Sequence, residues 1–481
     1  MPETVSETFS ATGLPHEKIP GPPLSRFGYR GNIARFLSDP LKYLENLYQN
    51  YGDVAKMIGG PEPSMIFAFG PKYNQQIFNN TDTFNTIGLT FAGPENSSQR
   101  KLRNGLLSMD GETHRQHRTL VNPPFHPQAI TAFYPIVVEI VNQLIADWKD
   151  RGTVDLWAEM KKLTKLVSAR ILFGLDNTTM SNEMTSLSAT WLDMNFSAAV
   201  RFFPYDFPGT AYWRMLRTAE KIERCARQIM NERQKNLSPT AQDVLSILIR
   251  KKNEPGTFLK EDVLIGLINL LFDASYETTA SSLTWNSFFL TQHPEVTAEL
   301  YDELESAARG GVPSFECLND LPHLENVVRE SMRMLPPILY NYRLVTKPVE
   351  LGPYHIEKGS KVAICQYITH RIPEFYPEPN KFNPKRWVTH KNVPYSYIPF
   401  GAGPHACIGG AFALMTIKTA ISQILLRYRL SLAPGTKVNR KALLVLRPAG
   451  GIRVKVHAQD KRFRESKTNV RGNIHEVVDL N

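Results

Sequence analysis

The sequence is short of cysteine, of long apolar runs and of nucleotide-binding glycine motifs. Four cysteines (Cys225, Cys317, Cys365, Cys407) in 481 residues are too few for a disulfide scaffold, which suits a reducing compartment. The most apolar run, 263–272, falls short of the roughly 18 residues of a membrane span. The start, Met-Pro-Glu-Thr-Val-Ser-Glu, has neither the basic head nor the apolar middle of a signal peptide. A cytoplasmic protein without a membrane anchor is expected. Gly-x-Gly-x-x-Gly after a strand and Gly-x-x-x-x-Gly-Lys-Ser/Thr are both absent, which disfavours nucleotide binding by those routes. No Cys-x-x-Cys pair occurs, so zinc held by paired cysteines is disfavoured. Glycine and proline show no Gly-X-Y period, and no internal repeat is found.

What is present is ordinary globular composition, 42% hydrophobic and 21% charged, enough for a large core. The net charge of +10 fits an acidic partner, a membrane surface or nucleic acid. No nucleic-acid motif accompanies it, so no nucleic-acid partner is expected.

Residues 1–18 are polar and aperiodic, and a loose tail is expected there. The spacing predicts a helix over 41–51 stopped by Gly52, and a hairpin from 53–58 and 64–69. From 111 to about 250 the pattern is mostly helical. The longest helix is expected over 260–291, stopped by Pro294. Another covers 321–335. Strands are expected over 349–356, 361–366, 442–446 and 452–457, and residues 458–481 read as a second flexible tail. Many helices with little β, and no alternating β-α-β series, argue for a mainly α fold with small β-sheets (α+β) in one domain, 19–457.

Cys407 lies in Phe400-Gly401-Ala402-Gly403-Pro404-His405-Ala406-Cys407-Ile408-Gly409. The glycines let the backbone approach a flat object and permit φ > 0. The expected helix after the loop places its positive end beside the sulfur. Both effects favour thiolate, the metal-binding and nucleophilic form.

This loop resembles the haem-binding signature of the cytochrome P450 superfamily, Phe-x-x-Gly-x-Arg/His-x-Cys-x-Gly, at Phe400, Gly403, His405, Cys407 and Gly409. The resemblance implies a haem-thiolate fold, triangular-prism-like, with a long central helix. It implies haem b (iron protoporphyrin IX) as cofactor, with Cys407 as the proximal thiolate that favours O–O cleavage. His405 stands where arginine is usual, and its implied role is a bond to a haem propionate.

Three further constellations follow the family's order. Glu330 and Arg333, at i, i+3 on one helix face, resemble the Glu-x-x-Arg pair, and Arg386 in Pro384-Lys385-Arg386-Trp387 completes an implied structural triad. Ala274-Ser275-Tyr276-Glu277-Thr278-Thr279 resembles the segment above the haem. It implies Glu277 and Thr278 as the catalytic pair, with the hydroxyl ordering a water and the acid feeding protons. Ser275 departs from the usual glycine, and its hydroxyl is expected to bond the carbonyl four residues back and loosen the helix. His114 and Arg118, at i, i+4, together with Arg343 and His405, form the implied propionate set.

By the same resemblance the substrate lining includes Phe91, Phe203, Leu270, Ala274, Ile338, Leu339, Leu444 and Val445, with Phe196, Phe202 and Phe207 nearby. An apolar terpenoid, fatty acid or steroid-like substrate is implied, and no charged anchor stands out. The implied partners are O2 and an acidic ferredoxin or flavodoxin with its NAD(P)H reductase, docking on cations drawn from Arg100, Lys101, Arg103, Arg115, Arg118, Lys385, Lys391 and Lys418. A monomer is expected. Competing readings are a peroxide-using or hydroperoxide-rearranging member, a non-catalytic haem sensor, and a cysteine hydrolase built on Cys407. The acid–threonine pair argues against the first two.

Overall fold

The structure is a computed structural model, and it describes residues 17–57, 64–88, 90–175, 178–391, 393–442 and 444–480. The fold is mainly helical with small sheets, as expected. Among the described residues no helix is long and apolar enough to cross a membrane. The amino-terminal tail expected at 1–18 lies outside the described residues except for exposed Glu17 and Lys18.

Contacts within the span read as one domain group into two compact units. One comprises Met1–Ile87, Ile338–Pro379 and Lys391–Ala406, the other Gly88–Pro337, Asn380–His390 and Cys407–Asn481. The boundary in the cysteine loop therefore falls between Ala406 and Cys407.

The first unit is built on a five-stranded sheet in the order Val54–Lys56, Met65–Ala68, Lys361–Ile364, Asn341–Val345, Phe84–Asn85. Only Met65–Ala68 and Lys361–Ile364 run parallel. The expected hairpin at 53–69 forms in register, Val54 opposite Ala68, with its turn outside the described residues. The helix Pro40–Tyr51 starts where the Asp39 carboxylate accepts from the Lys42 amide at 3.2 Å, and stops at Gly52, φ 80°. Its buried leucines 41, 44 and 47 recur at helical spacing, so one face is apolar.

The second unit is organised around the helix Glu261–Gln292, about 48 Å long at 1.5 Å per residue. Glu261 and Asp262 complement its positive end. It is buried almost all round from Val263 to Phe272 and again from Thr279 to Gln292, the mark of a core helix. Gly266 is needed for this packing. A β-carbon there would lie 2.3 Å from the Asn104 carbonyl oxygen, so only glycine lets the 101–105 segment cross so closely.

Two expectations fail at the carboxyl end. Residues 442–446 were expected as a strand, but strands run Asn439–Ala442 and Leu446–Ala449 and pair antiparallel, with Leu444 and Val445 in the turn between them. Residues 459–480 are not a loose tail. Ile474 and Val477 are fully buried, Val470, Val478 and Leu480 nearly so. The Arg429 guanidinium holds the Asp460 carboxylate through two bonds of 2.6 and 2.9 Å, and the Val438 amide donates to the Arg471 carbonyl at 2.7 Å. A few apolar side chains spaced through polar sequence suffice to seat the segment. Ile474→Val is expected to lower stability by roughly 0.5–1.5 kcal/mol, read from the urea midpoint at unchanged m-value. A solvated tail would show no shift.

Candidate active site

Glu330 and Arg333 lie on the helix Pro322–Met334, both fully buried. Arg333 grips the carboxylate with Nε to Oε2 and Nη2 to Oε1, each 2.9 Å. Arg386 adds Nε to Oε1 at 2.9 Å, the Trp387 indole donates to Oε2 at 3.1 Å, and the Asn383 amide donates to Oε1 at 3.0 Å. The predicted triad meets, and it carries two members the sequence reading missed. Arg329 stacks over the Trp387 ring at 4.1 Å and closes that side. A buried carboxylate needs this many donors to offset desolvation.

In the cysteine loop Gly401 and Gly403 both adopt φ 69°. At Gly403 a β-carbon would meet the Phe78 carbonyl oxygen at 2.9 Å. The helix Gly410–Arg427 begins three residues after Cys407. Cys407 keeps accessible surface but sits in low-dielectric surroundings. Burial raises its thiol pKa, while the Gly409 amide and the charge of Arg118 lower it. Cys225 and Cys365 are pushed by burial to about 11 and about 12. Beside Gly409 a β-carbon would meet nothing within 4 Å, so the chain just after Cys407 flanks open space. A soft sulfur with open space beside it and a half-buried guanidinium nearby are groups that fit an iron porphyrin.

His114 is buried on the helix Gly111–Val121, and Arg118 follows one turn later, its guanidinium pKa lowered by burial and raised by Cys407. In the first unit Arg343 is buried on the strand Asn341–Val345, its Nη1 donating to the Tyr342 carbonyl at 2.9 Å and its guanidinium over Phe78 at 5.8 Å. His405 ends a short 3-10 turn, Gly403–His405, and is half-buried, as is Phe400.

The middle of the long helix differs from its ends. Leu270, Asp273, Ala274, Glu277 and Thr278 all keep open surface. They recur at i, i+3, i+4, i+7 and i+8, so one face of an otherwise buried helix looks onto free space. The Thr278 hydroxyl donates to the Ala274 carbonyl at 2.8 Å. Ser275 donates to Phe272, three residues back rather than four, at 3.2 Å. The helix runs unbroken through it, so the expected loosening is not seen: the hydroxyl shares a carbonyl already in the ladder. Burial raises the pKa of Glu277, while Arg447, Lys161 and Lys165 lower it and Asp193 raises it. Arg447 is an ion-pair partner at 3.5 Å. Asp193 is exposed and both lysines are half-exposed, so this charged cluster joins the open face to solvent.

The substrate-lining expectations divide. Leu270 and Ala274 share the open face. The turn holding Leu444 and Val445 is anchored to the long helix, since the Leu446 carbonyl accepts from the Ser281 hydroxyl and the Trp285 indole. Ile338 is half-buried and Leu339 buried, both in the first unit. Phe91 is half-buried. Its amide donates to Asn195 Oδ1 at 3.2 Å and its carbonyl accepts from Gln99 Nε2 at 2.9 Å. Gln99 in turn accepts from the Trp191 indole at 2.6 Å and donates to Asn195 Oδ1 at 3.1 Å. Sequence reading missed this hub.

Phe203 lies at the surface. It is 65% exposed, with Phe207 at 68%, because Phe202 ends the helix Ala198–Phe202 and local turns carry the chain outward. Of the expected docking cations, Lys418 is withdrawn from the surface and three others are ion-paired. Lys418 is buried against Glu325 at 2.8 Å, Lys385 pairs with Glu299 at 2.6 Å, Lys101 with Glu223 at 3.1 Å, and Arg115 with Glu112 at 2.6 Å.

The Cytochrome P450 family model matches residues 19–456, and the chain belongs to that family. It is a haem-thiolate monooxygenase, with protoporphyrin IX haem iron as cofactor. Members use O2 and electrons from redox partner proteins. The chain is 29% identical to cyclooctatin synthase of Streptomyces melanosporofaciens, over 88% of this chain and 92% of that one. It is 28% identical to cyclooctat-9-en-7-ol 5-monooxygenase of the same organism, over 84% and 88%. Among solved structures, retinoic acid-bound cyanobacterial CYP120A1 superposes with a TM-score of 0.78 at 25% identity, covering 92% of this chain and all of that one.

Proposed function

We propose that this chain inserts one atom of O2 into an apolar substrate of terpenoid or steroid-like size, with electrons from a separate acidic ferredoxin or flavodoxin. The observation that carries the reading is the open face of the long helix. It sets an acid and a hydroxyl, Glu277 and Thr278, beside apolar Leu270 and Ala274. The relatives' names support the substrate class. A fatty acid would want a cation for its carboxylate, and the cations near this face are engaged with Glu277.

Cys407 is the residue we propose would ligate the haem iron, with the Gly409 amide and Arg118 holding the sulfur's negative charge. His114 and Arg118, and Arg343 and His405, are proposed for the propionates. Phe400 is proposed to pack beside them. When bound, haem supplies the oxygen-activating chemistry. Thr278 holds a proton at Oγ1, released from Ala274 by a rotation about one bond. Glu277, its pKa raised by burial, takes up and passes protons at its carboxyl, resupplied through Lys161, Lys165 and Asp193. The net charge of +10 favours an acidic redox partner.

Glu277→Gln and Thr278→Ala are expected to slow substrate oxidation by about 10²-fold, the lower end for loss of a positioned proton donor. Substrate affinity should stay unchanged in both. Unchanged oxidation rates would remove the pair from the chemistry.

A further inference from the structure

Two acids share the open face of the long helix, and they are treated differently. Glu277 has Arg447, Lys161 and Lys165 around it. Asp273, one turn earlier, has no cation acting on it among the described residues. Its neighbours are Ser188, Glu277 and Asn269. Burial pushes its carboxyl up to about 7, with Ser188 and Asn269 opposing that rise and Glu277 adding to it.

The polar atoms around Asp273 are incompletely satisfied. Asp273 Oδ1, Asn269 Oδ1 and Ser188 Oγ are each buried without a hydrogen-bond partner. Ser188 and Asn269 lie close enough to the carboxyl to act on it as hydrogen-bonding side chains, yet these three oxygens stay without a well-formed bond. Buried polar oxygens are normally paired, and leaving one unpaired is unfavourable. Three such oxygens, on the helices Thr178–Phe196 and Glu261–Gln292, lie beside the part of the open face that carries apolar Leu270 and Ala274. All three can accept a hydrogen bond. Asp273 as a whole keeps open surface on that face.

We propose that Asp273, with Ser188 and Asn269, is a specificity-determining polar subsite that receives a hydroxyl group carried on the substrate's apolar skeleton. A hydroxyl donates to the ionised carboxyl and accepts from the neutral one, so it is held in either form. The native substrate is then an already oxygenated compound, and an earlier oxidation or hydration must supply it. This rests on the monooxygenase reading of the same face.

The test uses binding, so it does not depend on turnover. Purified holoenzyme is titrated with matched hydrocarbons and alcohols, decalin with decalol and androstane with androstanol. Dissociation constants come from the iron spin-state change and, independently, from calorimetry. In the wild type the alcohol of at least one pair should bind about tenfold more tightly than its hydrocarbon, as one hydrogen bond to a buried carboxyl allows. Asp273→Leu should bring that ratio to about one, by weakening the alcohol and not the hydrocarbon. Asp273→Asn, which keeps an acceptor and a donor, should preserve most of the preference. Absence of any alcohol preference in the wild type, or its survival in Asp273→Leu, overturns the proposal. Failure of the monooxygenase reading shows separately, as binding without oxidation of either compound.

Discussion

Cys407→Ser yields protein whose dithionite-reduced, carbon monoxide-bound spectrum lacks the strongly red-shifted Soret band of thiolate ligation. Substrate oxidation falls to background. The expectation comes from the sulfur's surroundings. Cys407 has open space beside it, a backbone amide pointing at it from Gly409, and the Arg118 charge within reach. Burial alone would keep the thiol protonated. The amide and guanidinium oppose that, and coordination to a haem iron would complete deprotonation, as metal binding does for thiols generally. Serine is smaller and its hydroxyl is far less acidic, so the substitution removes the proposed thiolate ligand while leaving the loop's glycine geometry intact. Cys407→His is the companion variant, and it should show the band of histidine-ligated haem. A red-shifted band surviving in Cys407→Ser would place the ligand elsewhere.

The second large effect is expected at Glu330. Its carboxylate accepts from Arg333 twice, from Arg386, from the Trp387 indole and from the Asn383 amide. Arg333 is fully buried. Glu330→Ala therefore strands an uncompensated guanidinium and several donors in low dielectric. Removing one partner of such a pair typically costs about 3–5 kcal/mol. Glu330→Gln keeps one acceptor oxygen and should lose less. Replacing both partners, Glu330→Met with Arg333→Met, should recover part of the loss, since no lone charge remains. Chemical denaturation with haem retention followed in parallel measures this. A loss in Glu330→Ala below about 1 kcal/mol, the range of an exposed pair, would mean the network does not brace the fold.

How much could be read from the chain depended on what each segment's pattern encoded. The long helix was expected over 260–291 and runs Glu261–Gln292, because its apolar period and Pro294 are strictly local signals. The brace was readable as a motif, but not its completion by Trp387 and Asn383. Those partners depend on where an irregular segment folds back. The 442–446 stretch misled because Leu-Leu-Val-Leu reads as a strand in isolation. The hairpin partner Asn439–Ala442, mostly polar, fixes the turn on top of it instead. The aromatic segment at 202–207 misled in the opposite way, since apolar composition says nothing about which side of a loop faces out. Asp273 passed unnoticed as one acid in an apolar run. Its spacing of four from Glu277 was the available signal, and only the lack of compensating cations gives that spacing meaning.

The amide hub at Gln99 constrains how this chain can diverge. Trp191, Asn195 and the backbone at Phe91 converge on one side chain, itself fully buried. A change at any one of the three side chains strands polar groups on the others, at about 1–3 kcal/mol each. Single-step drift is therefore penalised at positions 99, 191 and 195, and compensated double changes are favoured over either single one. Residues almost a hundred positions apart in sequence are inherited as one trait, and the loop ahead of Gln99 can vary in its side chains only while its backbone stays docked to the helix Thr178–Phe196.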